Sequence, residues 1–260
     1  MIRILTYSIY DLLRSRWSII YLLFYLILGF GSLFLNNDIS KGIITLMNII
    51  VVLTPLIGTL FGVMYFYNSR EFTEVLLAQP LKRRQIFLGQ YLGLALSLSA
   101  SLVIGLLIPF LFYGVAGSEY WVHFGLLLIT GVFLTFIFSA LAYAIGLSNT
   151  NKIKGFGISI LMWLFLAVVY DGLFLVALMV FDDYPIDKFA LIGSMLNPID
   201  LSRILIILKL DISVLLGYTG AVFQKFFGTS LGMLASIGIL TVWTILPIGL
   251  IMRTASKKDF

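Results

Sequence analysis

The sequence has no cysteine and few charged residues among its 260 positions. Without cysteine, the chain forms no disulfide bond, no thiolate metal site and no thiol nucleophile. Charged residues make up 11% of the chain, whereas a soluble domain carries about 25%. A large soluble core would still need a charged surface, so this deficit excludes an ordinary soluble protein. Apolar residues make up 61% of the chain and the mean hydropathy is +1.09, which favours the lipid bilayer as solvent.

Motifs for catalysis are also missing. The chain has no G-x-x-x-x-G-K-[ST] phosphate loop, so we expect that it does not hydrolyse ATP itself. His123 is the single histidine and the eight methionines are scattered, whereas a metal site needs several ligands at matched spacing. One histidine near the edge of a span also does not indicate a Ser–His–Asp hydrolase. We therefore expect no catalytic residues, no metal site and no cofactor bound by this chain.

Six apolar stretches are long enough to cross a bilayer, which takes roughly 20 helical residues. They cover residues 17–35, 45–67, 86–113, 121–147, 155–181 and 229–252. Polar turns such as NNDISKG, GVAGSEY and SNTNKIK separate several of them. The sequence therefore predicts an all-α integral membrane protein with one transmembrane domain over residues 1–260 and with both termini on one side.

Lysine and arginine predict which side of the membrane that is. Twelve of them lie on the face that carries the termini and five on the other face, and cytoplasmic loops carry the excess of such residues. The twelve are Arg3, Arg14, Arg16, Arg70, Lys82, Arg83, Arg84, Lys152, Lys154, Arg253, Lys257 and Lys258. We expect a multi-pass protein of the bacterial cytoplasmic membrane with cytoplasmic termini. Its cations flank apolar spans rather than form a basic–aromatic face, so its net charge of +5 does not indicate nucleic acid binding.

Residues 2–17 precede the first span and have an amphipathic pattern. Apolar residues lie along one stripe of the predicted helix: Ile2, Leu5, Ile9, Leu12 and Leu13. Such a helix would lie in the cytoplasmic interface of the membrane; the alternative is an extension of the first span. Asp11 lies inside this segment and no small-residue cleavage site follows, so we expect the segment to be retained.

A short charged stretch, residues 68–85, interrupts the apolar sequence between the second and third spans. Asn68 and Glu71 have the spacing of a capping box, and Pro80 predicts that the helix ends at or near Gln79. The residues at helical spacing are Phe72, Val75, Leu76 and Gln79. The apolar face of such a helix would be too exposed for a plain turn, so we expect it to contact a partner. The alternative is an ordinary cytoplasmic loop.

The outer region, residues 182–228, is unusual for a loop because it is rich in Ile and Leu. It also contains Arg203, Lys209 and Asp211, and their cost at bilayer depth argues against a full span. The sequence instead predicts short helices dipping into the outer leaflet, the first capped by Asn197 or Asp200 and a later break at GYTG. This region is either a packed lid on the bundle, or a docking platform or gate. The candidate residues are Asn197, Asp200, Arg203, Asp211 and Tyr218.

Asp171 lies inside the predicted fifth span, where a carboxylate must face protein or water. A proton-coupled carrier would use such a group. Because Asp171 lies about ten residues before the end of that span, the alternative is that it reaches water or pairs with a neighbouring helix. Three G-x-x-x-G motifs also occur, and small residues let membrane helices approach closely. They are Gly58/Gly62 and Gly89/Gly93, which we predict to serve the packing of spans two and three, and Gly228/Gly232.

Two blocks carry a resemblance to a known family: SREFTEVLLAQPLKRRQIFLGQYLGL at 69–94 and NPIDLSRILIILKLDISVLLGYTGAVFQKFFG at 197–228. Together with six spans and an N-terminal interfacial helix, they make the whole chain resemble the ABC-2 type permeases, the membrane subunits of ABC transporters. The likeness is strongest to the branch that supports maturation of nitrous oxide reductase, an enzyme of denitrification. The first block also resembles the gliding-motility and multidrug branches.

The resemblance implies a type V exporter-like fold with an interfacial helix, a cytoplasmic coupling helix and short outer-leaflet helices before the last span. In that family the coupling helix docks on a cytoplasmic ABC ATPase, which binds ATP and Mg²⁺ and drives the permease. The residues at the matching positions are Arg70, Glu71, Phe72, Glu74, Val75, Leu76 and Gln79. The implied partners are that ATPase, a second copy of the permease, a periplasmic β-helical protein and the lipid bilayer.

The implied task is copper-site maturation of nitrous oxide reductase. Transport of a sulfur species and mechanical transmission to a periplasmic partner are both consistent with it. The lack of cysteine and histidine clusters argues against copper being held by this chain. One alternative is an ABC-2 exporter of another pathway, for gliding machinery, a drug or a lipid. A second alternative is an ion-coupled carrier using Asp171, although carriers often contain repeated spans and no convincing repeat is visible.

Overall fold

The computed structural model describes residues 2–14, 16–36, 38–181, 187–209 and 229–257. The described residues form helices joined by short connections, without β-strands. Asp211, Tyr218, the GYTG break and the Gly228/Gly232 motif lie wholly or partly outside these ranges.

The helices follow one another with few connecting residues. They are α1 (Ile2–Arg14), α2 (Arg16–Asn36), α3 (Ile39–Asn68), α4 (Arg70–Leu77), α5 (Arg83–Phe112), α6 (Trp121–Ser148), α7 (Lys152–Leu164), α8 (Tyr170–Val180), α9 (Asp187–Leu196), α10 (Pro198–Lys209) and α11 (Ser230–Lys257). A π-helical segment, Phe165–Val169, joins α7 to α8, and a 3₁₀ turn, Val115–Gly117, lies between α5 and α6.

Six helical segments are long and apolar enough to cross a membrane: α2, α3, α5, α6, the continuous pair α7–α8, and α11. They match the six predicted spans and make the chain an all-α multi-pass membrane protein. Their ends extend into stretches that the sequence analysis assigned to turns. Thus α3 begins at Ile39 rather than at residue 45, because the Asp38 carboxylate caps it by accepting from the Ser40 N–H at 2.9 Å.

The buried core lies among α3, α5 and α6. Over an apolar 18-residue stretch of each span, 61% of the residues are buried in α5 and in α6, against 50% in α3 and 6% in α7–α8. The helix α6 packs against α3, α5, α7 and α11, while α2 packs against α5 and α3. The described residues therefore leave most of the surface of the fifth span uncovered.

The glycine motifs do serve the packing of spans two and three, but the two helices do not use them against each other. Because α6 lies beside α3, Gly62 faces it, and a Cβ at that position would lie 2.7 Å from the Ser139 carbonyl oxygen. Gly93 of α5 instead faces α1, and a Cβ there would lie 2.5 Å from the Cβ of Ser8. The Gly89/Gly93 motif therefore lets the N-terminal helix pack closely against α5.

The predicted amphipathic helix exists as α1 and lies along the first turns of α5. Ile4 faces Gly89 and Ser8 faces Gly93, so the two helices run in the same direction over this turn. Leu12, from the predicted apolar stripe, is buried. One face of α1 is thus covered by protein. The opposite face carries exposed side chains: Tyr7, Tyr10, Asp11 and Arg14.

Candidate functional site

The helix α4 follows α3 with no loop between them, and this arrangement overturns the predicted capping box. Asn68 is the last residue of α3, and Ser69 ends one helix and starts the next. The Ser69 N–H is already bonded to the Tyr65 carbonyl, so α3 runs straight into α4 and Asn68 does not begin the second helix. At its other end α4 stops at Leu77, two residues before Gln79. The sequence predicted an end at or near Gln79, because Pro80 disfavours a helical conformation of the residue before it.

The apolar face of α4 is largely covered by the chain itself rather than left for a partner. Leu76 is buried in a cluster with Ile4 of α1 and Ile86 of α5. The Phe72 ring stacks on Tyr7 of α1, with the ring centroids 4.8 Å apart. Two of the seven candidate coupling residues, Phe72 and Leu76, therefore fix α4 onto the bundle.

The other five candidates face outward: Arg70, Glu71, Glu74, Val75 and Gln79. Arg70 Nε lies 3.2 Å from Glu74 Oε1, and both side chains are about half exposed. Val75 is 61% exposed although it is apolar. This outward face of α4 combines two carboxylates with one uncovered apolar side chain. Such a combination can contribute both packing and charge pairing to a partner.

Buried hydrogen bonds connect the inward face of α4 with two spans. The Tyr143 hydroxyl of α6 donates to Gln90 Oε1 at 2.7 Å, and Gln90 Nε2 of α5 donates to Thr73 Oγ1 at 2.9 Å. The Thr73 hydroxyl then donates to the Ser69 carbonyl at 2.7 Å. We call these bonds the Gln90 chain. These bonds were not predicted from the sequence, although a glutamine inside an apolar span needs hydrogen-bond partners and was a usable signal.

After the fifth span, α9 and α10 form a bent pair, residues 187–209, which we call the outer helix pair. Their axes are bent by 114° at residue 197, and neither helix reaches the roughly 20 residues needed to cross a bilayer. Two short helices are present as predicted, while their depth in the outer leaflet, and whether the bent pair crosses the membrane, stay predictions. Asn197 caps α10, because its Oδ1 accepts from the Ile199 N–H at 3.1 Å.

Asn197 also fastens the outer helix pair to the fifth span. Its Nδ2 donates to the Leu166 carbonyl at 2.8 Å, and the side chain is fully buried. Leu166 lies in the π-helical segment, where the widened turn disturbs the regular pattern of backbone hydrogen bonds. A second bond joins the Tyr170 hydroxyl to the Gly193 carbonyl at 2.6 Å. The bend of the outer pair and the irregular turn of the fifth span are thus held together.

Asp171 pairs with a neighbouring helix, as one of the two interpretations of the sequence required. Its Oδ2 lies 3.0 Å from Arg203 Nη1, and the same nitrogen lies 3.7 Å from Asp200 Oδ1. Residues that were considered separately in the sequence therefore form one cluster with Asn197, whose Nδ2 also donates to Asp200 Oδ2 at 3.0 Å.

The Asp200 carboxyl is the most perturbed group in this cluster. Burial raises its pKa to about 6; Asp171 adds to the rise, whereas Arg203 and the Asn197 amide oppose it. Asp200 lies in α10, outside the six spans. The charge of Asp200 therefore changes about one pH unit below neutral pH. Within the described ranges, no three His, Cys, Asp or Glu side chains are grouped so that they could hold a metal ion.

Comparison with known proteins gives two curated relatives, while no protein-family model matches the chain. The probable ABC transporter permease protein NosY of Stutzerimonas stutzeri is 30% identical over 213 residues, covering 75% of this chain and 76% of that protein. A protein of the same description from Pseudomonas aeruginosa is 26% identical over 211 residues, covering 75% and 77%. Because the matches span three quarters of each chain, the similarity concerns the membrane domain as a whole rather than one motif.

Proposed function

Because this chain belongs to the NosY family of ABC transporter permeases, we propose that it transmits the work of a cytoplasmic, NosF-like ATPase across the bacterial cytoplasmic membrane. An ABC permease requires an ATPase partner, and ATP with Mg²⁺ would be bound and hydrolysed there rather than on this chain. The excess of lysine and arginine beside the termini supports cytoplasmic termini. On this orientation α4 lies on the cytoplasmic side, and α1 lies at the cytoplasmic interface beside it.

The observation that carries the proposal is the division of α4 into two faces. Its inward face is fixed by Phe72, Leu76 and Thr73 to α1 and α5, and its outward face leaves Glu71, Glu74 and Val75 uncovered. A plain connecting turn would not need a buried anchor on one side. A helix that receives a push from a partner needs both a free face and a firm attachment.

We propose that the permease is a homodimer in which the fifth span contacts a second copy, with spans one and two contributing. The support is that α7–α8 is the span least covered by the described residues, with 6% of its apolar 18-residue stretch buried. Disulfide crosslinking of single cysteines on α8, such as Val176→Cys, tests this arrangement. Crosslinked dimers are the expected result, and crosslinking no stronger than at Leu250→Cys on α11 would instead assign lipid to this face.

For the pathway, we propose copper-site maturation of nitrous oxide reductase, together with a periplasmic NosD-like β-helical partner. The outer helix pair supports an outside contact, because it exposes three apolar side chains, Phe189, Ile192 and Leu196. Export of a sulfur species and transmission of force to the partner are both compatible with this arrangement. The ion pair of Asp171 with Arg203 favours a structural role for that carboxylate over proton-coupled transport.

Purification of the tagged protein from its native membrane, followed by mass spectrometry of its companions, tests the proposal. A photo-crosslinker attached at Val75→Cys should label an ATPase, and one at Ile192→Cys, on the outer pair, should not; the cysteine-free chain makes both labels specific. An ATPase together with a periplasmic β-helical protein supports the full proposal. An ATPase with other companions reassigns the pathway to another ABC-2 exporter. Absence of any ATPase contradicts the coupling role of α4.

A further inference from the structure

We infer that Gln90 is a positioning residue that carries movement of α4 to α6, the fourth span. The inference rests on the proposed function, since it concerns how a coupling helix acts on the membrane bundle. Along the chain α4 is attached to α3 and α5. An attachment of α4 to α6 through Gln90 is therefore a property of the fold and not of chain connectivity.

The apolar contacts of α4 do not by themselves fix its position. Phe72 on Tyr7, and Leu76 on Ile4 and Ile86, are contacts between apolar surfaces, and such attraction is non-directional. A hydrogen bond, by contrast, constrains both a distance and an angle. The Gln90 chain is thus the contact that sets the register of α4 on the bundle.

Both ends of the Gln90 amide are occupied, one on each side. Its Nε2 holds Thr73 of α4, and its Oε1 accepts from Tyr143 of α6. All three side chains are buried, so moving α4 away from α6 would leave a buried polar group without its partner. The lower-energy response is that α4, Gln90 and Tyr143 move together.

From α6 the displacement has a tightly packed route into the bundle. Gly62 of α3 approaches the backbone of Ser139 so closely that a Cβ would lie 2.7 Å from its carbonyl oxygen. The other neighbours of α6 include α5, α7 and α11. A shift of α6 therefore displaces helices on several sides. A shift of α4 that was not passed on to α6 would not do so.

The chain supplies a matched control on the same two helices. Tyr91 follows Gln90 on α5, is also fully buried, and donates its hydroxyl to the Phe136 carbonyl of α6 at 3.1 Å. Tyr143→Phe and Tyr91→Phe each remove one buried tyrosine hydroxyl between α5 and α6. The first substitution interrupts the connection to α4, and the second does not.

Hydrogen exchange of the full chain in lipid nanodiscs tests the connection without any ATPase. We expect protection of the amides at 70–77 to fall by about tenfold in Gln90→Met and in Tyr143→Phe, and to stay unchanged in Tyr91→Phe. The double variant Gln90→Met/Tyr143→Phe removes both facing polar groups and keeps the test valid if one single variant folds poorly. Equal loss in Tyr91→Phe, or unchanged protection in the Gln90 and Tyr143 variants, would overturn the inference.

A second measurement follows the motion itself in the complex with the ATPase. Spin labels at Ala78→Cys, the C-cap of α4, and Ser148→Cys at the end of α6 report their separation before and after addition of ATP and Mg²⁺. We expect one narrow distance in the parental chain and in Tyr91→Phe, and a broadened one in Gln90→Met. A narrow, unchanged distance in Gln90→Met would contradict the inference. If no ATPase accompanies the chain, the proposed function fails, whereas the exchange result still decides the role of Gln90.

Discussion

Asp171 of α8 and Arg203 of α10 form an ion pair of 3.0 Å that joins the fifth span to the outer helix pair. Both side chains are a little under one third exposed, so solvent screens the pair in part. Together with the Asn197 and Tyr170 hydrogen bonds, it makes the outer pair an extension of the fifth span. Any motion of the fifth span would therefore also move the outer helix pair.

We expect the ion pair to contribute modestly to stability. In a double-mutant cycle of Asp171→Asn and Arg203→Met, the coupling energy should be about 1 kcal/mol or less, because the pair is partly exposed. The measurement is unfolding in detergent, with hydrogen exchange at 187–209 as the local readout. If Asp171→Asn abolishes proton-coupled transport while leaving the outer pair intact, the carrier alternative gains the support that the structure does not give it.

Removal of the Asn197 amide should destabilise the protein by about 2 kcal/mol. About half of this is the lost cap of α10 and half is the buried bond to the Leu166 carbonyl. Asn197→Ala tests the sum in an unfolding experiment. Asn197→Ser, which keeps a capping oxygen but is too short to reach Leu166, should fall between the parental chain and Asn197→Ala. Stability of Asn197→Ser equal to that of the parental chain would contradict the connection to the fifth span.

The raised pKa of Asp200 predicts a definite pH dependence. The folded protein holds this proton up to pH of about 6, above the ordinary value for an aspartate, so it binds more protons than the unfolded chain in that window. Stability should therefore rise as the pH falls from about 7 to about 5. Asp200→Asn should raise the melting temperature at pH ~7 and remove this increment. Equal pH profiles of the parental chain and Asp200→Asn would contradict the raised pKa.

Substitution on the outward face of α4 should reduce ATPase association without unfolding the bundle. We expect Glu71→Lys and Val75→Lys to lower the amount of ATPase recovered with the permease, because both side chains are exposed on the face proposed to meet it. Glu71→Gln should separate ATP hydrolysis from maturation while the melting temperature stays the same. Full maturation in the Glu71 variants would contradict the coupling role. Glu119→Lys, far from α4 along the spans, serves as the charge-matched control.

The seat of α1 on α5 can be tested with one methyl group. Gly93→Ala places a Cβ against Ser8, so α1 must shift, at a cost of about 1–3 kcal/mol. Gly125→Ala on α6 meets nothing within 4 Å and should be tolerated. Protease sensitivity and hydrogen exchange at residues 2–14 provide the readout. If both variants behave alike, the close approach of α1 and α5 does not hold in solution.

Local sequence patterns determined the six long apolar spans, the existence of α1 and α4, and the presence of short helices before the last span. These features depend on hydropathy over about 20 residues, on helical periodicity and on the cost of charge in the bilayer, all of which can be evaluated within one segment. The helix ends were less accurate, as at Ile39 and Leu77. There, single caps and the direct passage from α3 to α4 decided the boundary.

The tertiary structure alone decided which polar groups meet. Thr73 and Tyr143 lie 17 and 53 positions from Gln90, and Asp171 lies 32 positions from Arg203. No periodicity within one helix specifies such pairs, because they depend on how neighbouring helices are placed and rotated. The same reason explains why Phe72 and Leu76 fix α4 to the bundle while the Val75 side chain stays exposed. The sequence by itself determined that this protein has six segments able to cross a membrane, and the packing of its helices decided which side chains of α4 stay exposed.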